Sequence, residues 1–516
     1  MTAHSVTPDP TLHPPRWQPA LLRWHHTRVS WWQSWKLAAQ VVPRWRDKSV
    51  NEFYGTGLPG LDDIVVARMP FRRYVAVRSP ELARHVLVTN QANYAKSAEY
   101  DMLAVGFGRG LVTELDEQRW QRNRRLVQPV FGKRNITTLA GPITDAARDC
   151  AERILRLGAD GAPVDVNAEM SRLTLDIVVR TMFGVDLTGP MSEIRLARLL
   201  SYFGFGFVVA PIRQLRALAE LTNRPDLPMR VMRAASWLIA PRTLGDLRHV
   251  ERVIDQLIAD HRNGTITGGD NLLALLMAAH DPETGHRYTD TEIRDELMTF
   301  IGAGMETTAT ALAWTWKLLA EHPEVRARLH AELDDVLAGR IPTADDVDRL
   351  PWTKAVVAET IRLHPPVVGL TRIAKNDDLL GDFPIRAGTT ITISLHALHH
   401  HREVWPDPES YDPTRYLTEK LTQTQRHATL PFGAGKRMCV AHVFANTEAV
   451  LALATIAQHL EMNLATTEPI RPQFSFTGSP DGPIPMHANK RGESRWVVVD
   501  QHGDVGGEGA RGDQVG

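Results

Sequence analysis

The chain has 516 residues, 43% hydrophobic and 23% charged, a composition that suits a folded globular protein and excludes a fibrous or low-complexity one. Lys plus Arg number 59 against 60 Asp plus Glu, and a net charge of −1 excludes nucleic-acid binding through bulk charge. The only cysteines, Cys150 and Cys439, exclude a disulfide framework or a multi-cysteine zinc site, and no run has the length of a membrane span or signal-peptide core, so the expected location is the cytoplasm.

Residues 1–50 interleave Trp17, Trp24, Trp31, Trp32, Trp35 and Trp45 with Arg16, Arg23, Arg28, Lys36, Arg44 and Arg46. Pro14, Pro15, Pro19 and Pro43 interrupt any helical period, which favours indoles packed on the body of the protein; weak contact with a membrane surface is the second reading. From Asp63, DIVVARMPFRRYVAVRSPE predicts two strands around a Met-Pro turn, and ELARHVLV a helix after them. Helical periods then dominate: MSRLTLDIVVRTMFG, RHVERVIDQLIADHR, TDTEIRDELMTFIGAGMETTATALAWTWKLLAEHPEV and HVFANTEAVLALATIAQHLEM, with a strand-like GTTITISLHAL between the last two. Thr289 and Glu292 form a capping box at the start of the longest helix, and Pro323 ends its pattern. The Gly-rich residues 499–516 are nearly devoid of large apolar side chains and are expected to be disordered. The predicted fold is mainly α with a smaller β region: one large domain over 51–498, preceded by the Trp-rich segment.

Cys150, in ITDAARDCAERIL, reads as a small buried hydrophobe on a helix. Cys439 stands in PFGAGKRMCVAHVF, after a glycine turn and before an apolar helix, where free backbone N–H groups stabilise a thiolate. Such a thiolate serves as a nucleophile or a metal ligand. Lys436 and Arg437 beside it suit a large anionic ligand such as a haem, with Gly433 and Gly435 letting the backbone approach and Phe432 shielding the sulfur.

This loop resembles the haem-binding loop of the cytochrome P450 superfamily, with Phe432, Gly435, Arg437 and Cys439 at the motif positions and Ala441 where most members carry glycine. Further stretches are similar in the family's order. ETIRLHPP supplies Glu359 and Arg362, and PDPESYDPTRY supplies Arg415, which the resemblance makes the third member of a buried charge cluster. AGMETTA on the long helix is similar to the oxygen-activating segment, with Ala303 and Gly304 clearing space and Glu306 and Thr307 supplying an acid and a hydroxyl. EQRWQRNRRLVQPVF offers Trp120 and Arg124, and the stretch after HPP offers Arg372, as propionate partners alongside Arg437. FTGSPDGPIPM looks like the family's C-terminal hairpin.

The resemblance implies the cytochrome P450 fold, with haem b between the long helix and the cysteine loop and Cys439 as the axial thiolate ligand. The implied reaction inserts one atom of O2 into a small apolar substrate such as a fatty acid, terpenoid, steroid or polyketide, with Thr307 and Glu306 relaying protons. Phe300, Ala303, Val367, Val368, Leu370, Thr477 and the stretches AEYDMLAVGFG and FGFGFVV are the pocket candidates. No fused reductase is expected, so a ferredoxin or flavodoxin with its NAD(P)H-dependent reductase would supply electrons, steered by Arg119, Arg122, Arg125, Lys133 and Arg134. Alternatives are a peroxygenase or isomerase on the same fold, against which Glu306 and Thr307 argue, and a non-catalytic haem-thiolate sensor. His396, His399, His400 and His401 read as packing residues in preference to a second metal site.

Overall fold

The computed structural model describes residues 26–28, 63–69, 72–98, 100–185, 227, 230–234, 241–265, 271–417, 421–474, 477–492, 498–499 and 505–506. The readings of FGFGFVV, of nearly all of the Trp-rich segment and of most of the Gly-rich tail lie outside these residues.

Alternating apolar residues build the main sheet. Its strands are β1 (His26–Arg28), β2 (Ile64–Met69), β3 (Arg72–Val77), β4 (Tyr94–Lys96), β5 (Gly369–Ala374) and β6 (Thr390–Ser394), in the order β1-β2-β3-β6-β5-β4. β2 and β3 pair antiparallel, as expected, and β3 runs parallel to β6, so early and late parts of the chain share one sheet. One face buries Ile64, Val75, Val77, Ile391 and Ile393. β4 and β5 place Lys96 directly opposite Arg372.

The helical body comprises α1 (Tyr100–Phe107), α2 (Glu117–Val127), α3 (Lys133–Leu157), α4 (Val166–Phe183), α5 (Pro241–Arg262), α6 (Asp290–Glu321), α7 (Pro323–Leu337), α8 (Pro351–Leu363) and α9 (His442–Ala457). Thr289 and Glu292 cap α6 reciprocally. Pro323, which cannot continue α6, opens α7 instead. The sequence period that carried α9 through QHLEM is overruled: Leu460–Leu464 is a strand paired antiparallel with Pro485–Lys490, because its apolar residues alternate toward the core there. Further on, β7 (Pro472–Phe474) and β8 (Gly478–Pro480) form the C-terminal hairpin.

α6 lies against α1, α4, α8 and α9 and is buried nearly end to end, with Leu312, Ala313 and Trp314 fully enclosed. Gly302 sets the approach of α1: a Cβ there would stand 2.2 Å from the Phe107 ring, whereas one on Gly304 would meet Val178 of α4 at an ordinary contact distance of 3.4 Å. Replacing Gly302 by Ala is expected to push α1 off α6 and cost about 1–3 kcal/mol of stability, read as a lower urea midpoint with unchanged slope.

Candidate active site

A tight turn delivers Cys439. Gly433 and Gly435 adopt φ values of 72° and 70°, which strongly favour glycine, and the Cys439 N–H closes the loop on the Phe432 carbonyl at 2.9 Å. A Cβ on Gly435 would fall 1.9 Å from the Leu87 carbonyl oxygen and 2.8 Å from Gln91 Oε1, so the glycine admits the 85–91 segment. Gln91 Oε1 also accepts the Lys436 N–H at 2.8 Å. Phe432 is half-buried and lies 6.2 Å, centroid to centroid, from the His442 ring.

The Cys439 side chain is accessible on one side yet set deep in the protein, where burial pushes its thiol pKa up while the Ala441 N–H and the Arg124 charge pull it down. Those two groups favour a thiolate. Ala441, the departure from the family pattern, has φ −97° at the N-cap of α9, a conformation that costs an alanine nothing. Cys150 is buried, its thiol pushed up to about 12 by that burial.

Five cations gather around the loop. Arg124 Nη1 donates to the Met438 carbonyl at 2.6 Å. Arg437 lies over the buried Trp120 ring at 4.2 Å and donates to Glu117 at 2.9 Å, with Lys436 on the other oxygen of the same carboxylate at 2.6 Å. Burial works to raise the Glu117 pKa, but the bonds and charges of Lys436 and Arg437 bring it down to about 2. Arg372 is buried, donates to the Thr371 carbonyl and lies beside Tyr100. Lys96, absent from the sequence reading, donates to the Val112 carbonyl and caps the Tyr100 ring at 4.3 Å. Burial, then the charges of Arg437 and Arg372, push its ammonium pKa well below the usual lysine range, with Glu114 opposing. Like charges opposed across a sheet are unfavourable without an anion between them.

Ala303 on α6 is exposed although Ile301, Gly302 and Met305 around it are buried. The next polar side chains diverge. Glu306 accepts from Thr477 Oγ1 at 3.1 Å, half-exposed Thr307 donates to the Ala303 carbonyl at 2.8 Å, and buried Thr308 donates to Glu448 at 3.3 Å. Burial raises the Glu306 pKa, partly offset by the Thr477 bond. Glu448 on α9 is a second residue missing from the sequence reading; burial pushes it to about 8, and its Oε1 has no protein partner.

Glu359 and Arg362 are wholly buried and joined by two bonds of 2.7 Å, with Arg415 Nε at 3.4 Å from the same carboxylate. Arg362 also donates to the carbonyls of His399, Pro408 and Ser410, and His399 Nε2 accepts the Leu430 N–H at 3.1 Å just ahead of the cysteine loop. His396, His399 and His400 are buried, and among the described residues no cluster of His, Cys, Asp or Glu could hold a metal ion.

The pocket candidates divide. Ala303 is open and Val367 and Leu370 are half-buried, while Val368 and Thr477 are buried. Phe300 is 7% exposed and packs edge-on against Phe131, which meets Phe444 of α9 in turn. The proposed docking arginines are largely spent within the chain, Arg119 on Glu114, Arg122 on Glu292 and Arg125 on Asp281 and Glu283; Lys133 and Arg134 stay exposed.

The family model described as Cytochrome P450 matches residues 60–484. The chain belongs to the cytochrome P450 family. Cyclooctatin synthase of Streptomyces melanosporofaciens is 34% identical over 91% of this chain and 97% of its own length. Cyclooctat-9-en-7-ol 5-monooxygenase of the same organism is 35% identical over 78% and 82% of the two chains. Pentalenene oxygenase of Streptomyces avermitilis is 31% identical over 80% and 86%. The crystal structure of the cytochrome P450DA heme domain superposes with a TM-score of 0.71 at 26% identity, over 85% of this chain and 91% of that one.

This cytochrome P450 is thus a monooxygenase of the haem-thiolate class, which acts on apolar substrates with O2 and draws electrons from redox partners. The family implies a cysteine-ligated haem iron. The residues present fit that group: an accessible cysteine lies in a field of donors, and Lys96, Arg372 and Arg437 crowd together with a deficit of anions that propionates would correct. Among the described residues, no helix is long and apolar enough to cross a membrane.

Two predictions follow from the buried network of this cytochrome P450. Replacing Glu359 by Gln leaves the Arg362 charge without its principal counterion and is expected to cost about 3–5 kcal/mol, measured by denaturant unfolding. Burial holds His399 down at about 3 in the folded protein, while the unfolded chain titrates near the ordinary histidine value, so its neutrality costs stability as pH falls below about 6.5. Between pH 8 and pH 5 the stability of the wild type relative to His399→Gln should therefore fall by about 2 kcal/mol.

Proposed function

We propose that the enzyme inserts one oxygen atom into a terpenoid skeleton, using haem b and electrons from a separate ferredoxin or flavodoxin with its NAD(P)H-dependent reductase, in the cytoplasm. The observation that carries this reading is the cationic cradle of Lys96, Arg124, Arg372 and Arg437 around the loop that presents Cys439. The terpenoid class is supported by the names of the relatives, two of which act in cyclooctatin chemistry and one on pentalenene. Two free cysteines support a reducing compartment.

Cys439 would be the iron ligand, with the Ala441 N–H and Arg124 offsetting its negative charge. Arg372, Arg437 and Lys96 would hold the propionates, with Arg124 and Trp120 framing them and Phe432 limiting water near the sulfur. When bound, the haem supplies an iron at which O2 is reduced and split, one atom entering the substrate and one leaving as water. The chain's own part is to bind, orient and deliver protons. Glu306, its carboxyl pKa raised by burial, can carry a proton at an oxygen, and the Thr307 hydroxyl, free to rotate from its bond to Ala303, can pass one on. Ala303, Val367 and Leu370 would offer the apolar wall against which a hydrocarbon is positioned, and the sheet core behind Val367 and Leu370 would keep that wall rigid.

The reduced carbon monoxide spectrum tests the ligand: the wild type should give the thiolate-type Soret band and Cys439→Ser should lose it. A histidine-type band in the wild type would refute thiolate ligation. With a cyclic terpene hydrocarbon that shifts the Soret band, Thr307→Ala is expected to divert most of the consumed electrons to hydrogen peroxide, read as product per NAD(P)H. Wild-type coupling in that variant would remove Thr307 from the proton path.

A further inference from the structure

Thr477 is 2% exposed, and its hydroxyl donates to Glu306 Oε1 at 3.1 Å. The sequence offered it as a residue in contact with substrate, but a buried hydroxyl committed to a carboxylate has little left for an apolar ligand. Its backbone is fixed by the residue after it. The Gly478 N–H donates to the Pro366 carbonyl at 3.0 Å, and the Gly478 carbonyl accepts Trp314 Nε1–H at 2.9 Å. Trp314 is itself immobilised in α6, two turns beyond Glu306, with its ring stacked 3.9 Å from His364. The hydroxyl at the base of β8 is thus referenced to the helix that carries the acid.

Its two helical neighbours cannot substitute for it. Thr307 turns back to the Ala303 carbonyl and Thr308 turns away to Glu448 of α9, so neither bonds to the Glu306 carboxyl. The carboxyl's hydrogen-bonded anchor is on the C-terminal hairpin.

We infer that Thr477 is a positioning residue that aims the Glu306 carboxyl, so that the C-terminal hairpin, and not α6 alone, governs the acid of the proton relay. The inference rests on the relay reading proposed above. A chain segment that reaches the acid through one hydroxyl couples any displacement of the hairpin to proton delivery, because a carboxyl released from its anchor samples other rotamers.

The test uses the haem-loaded protein with a surrogate ferredoxin and its reductase, in the absence of substrate. The first readout is the infrared carbonyl stretch of Glu306, identified by its disappearance in Glu306→Gln. The second is hydrogen peroxide released per NAD(P)H consumed. Thr477→Val should move the band to higher wavenumber and raise the peroxide fraction by roughly threefold or more. Thr477→Ser should restore both, and Thr477→Val should add nothing in a Glu306→Gln background. Thr477→Ala serves in place of valine if the valine variant loses its carbon monoxide band. If Glu306→Gln alters peroxide release but Thr477→Val matches the wild type in both readouts, the positioning role is overturned and the relay stands. If Glu306→Gln leaves peroxide release unchanged, the relay itself is overturned, and the positioning role with it.

Discussion

A single buried guanidinium holds together the part of this enzyme on which the cysteine depends. Arg362 has five N–H groups and no access to water, so each must find an acceptor or cost a full desolvation penalty. All five do: two meet Glu359, and three meet the carbonyls of His399, Pro408 and Ser410. The end of α8, the last residue of the short helix Leu395–His399 and two positions of the irregular stretch after it are thereby tied to one planar group. His399 carries the constraint onward, since its ring accepts the Leu430 N–H immediately before the glycine turn. The loop that presents Cys439 is closed locally by its glycine turn and the Cys439 N–H on the Phe432 carbonyl, and the His399 bond to Leu430 fixes where that turn begins.

Electrostatics complete the arrangement from the opposite side. Lys96 and Arg372 are aligned across β4 and β5, and Arg437 closes on them from the cysteine loop. Glu117 neutralises part of this charge, drawing in both Lys436 and Arg437, and Arg124 is bound to a loop carbonyl. What is left is a positive field beside a thiol, which lowers the cost of a thiolate and of any carboxylate that arrives next to it. Pairing with Glu117 does not use up Arg437: a forked guanidinium stacked on Trp120 keeps a fixed plane and further N–H groups, which suits the propionate role proposed for it.

The legible parts of the sequence were those in which cause and effect lie within a few residues. The capping box at Thr289, the helix break at Pro323, the antiparallel pair of β2 and β3 and the spacing around Cys439 are all of this kind. Lys96 could not be found this way, because nothing in its own stretch distinguishes it until the sheet register sets it opposite Arg372. The close approach at Gly435 was hidden for the same reason: its neighbour, the Leu87 carbonyl, lies hundreds of positions away in the chain. The ring that packs on Phe300, Phe131, comes from another element and could not be read from the Phe300 stretch either. Glu448 drew no notice as one acidic residue in an apolar helix until burial and the bond from Thr308 marked it out.

The threonines of α6 show how such long-range partners assign roles that spacing leaves open. Thr307 and Thr308 are chemically identical and adjacent, and a hydroxyl needed for proton transfer could belong to either. Thr308 is buried and bonded to Glu448, whose carboxyl stays largely protonated near neutral pH, so moving that hydroxyl would strand an acid that already has one oxygen without a partner. Thr307 gives up only a local bond to the carbonyl one turn back, which a helix readily makes and breaks, and it stands on the accessible side with Ala303. The cost of leaving its present partner is what separates a mobile hydroxyl from a structural one, and by that criterion Thr307 is the hydroxyl that suits the proposed relay.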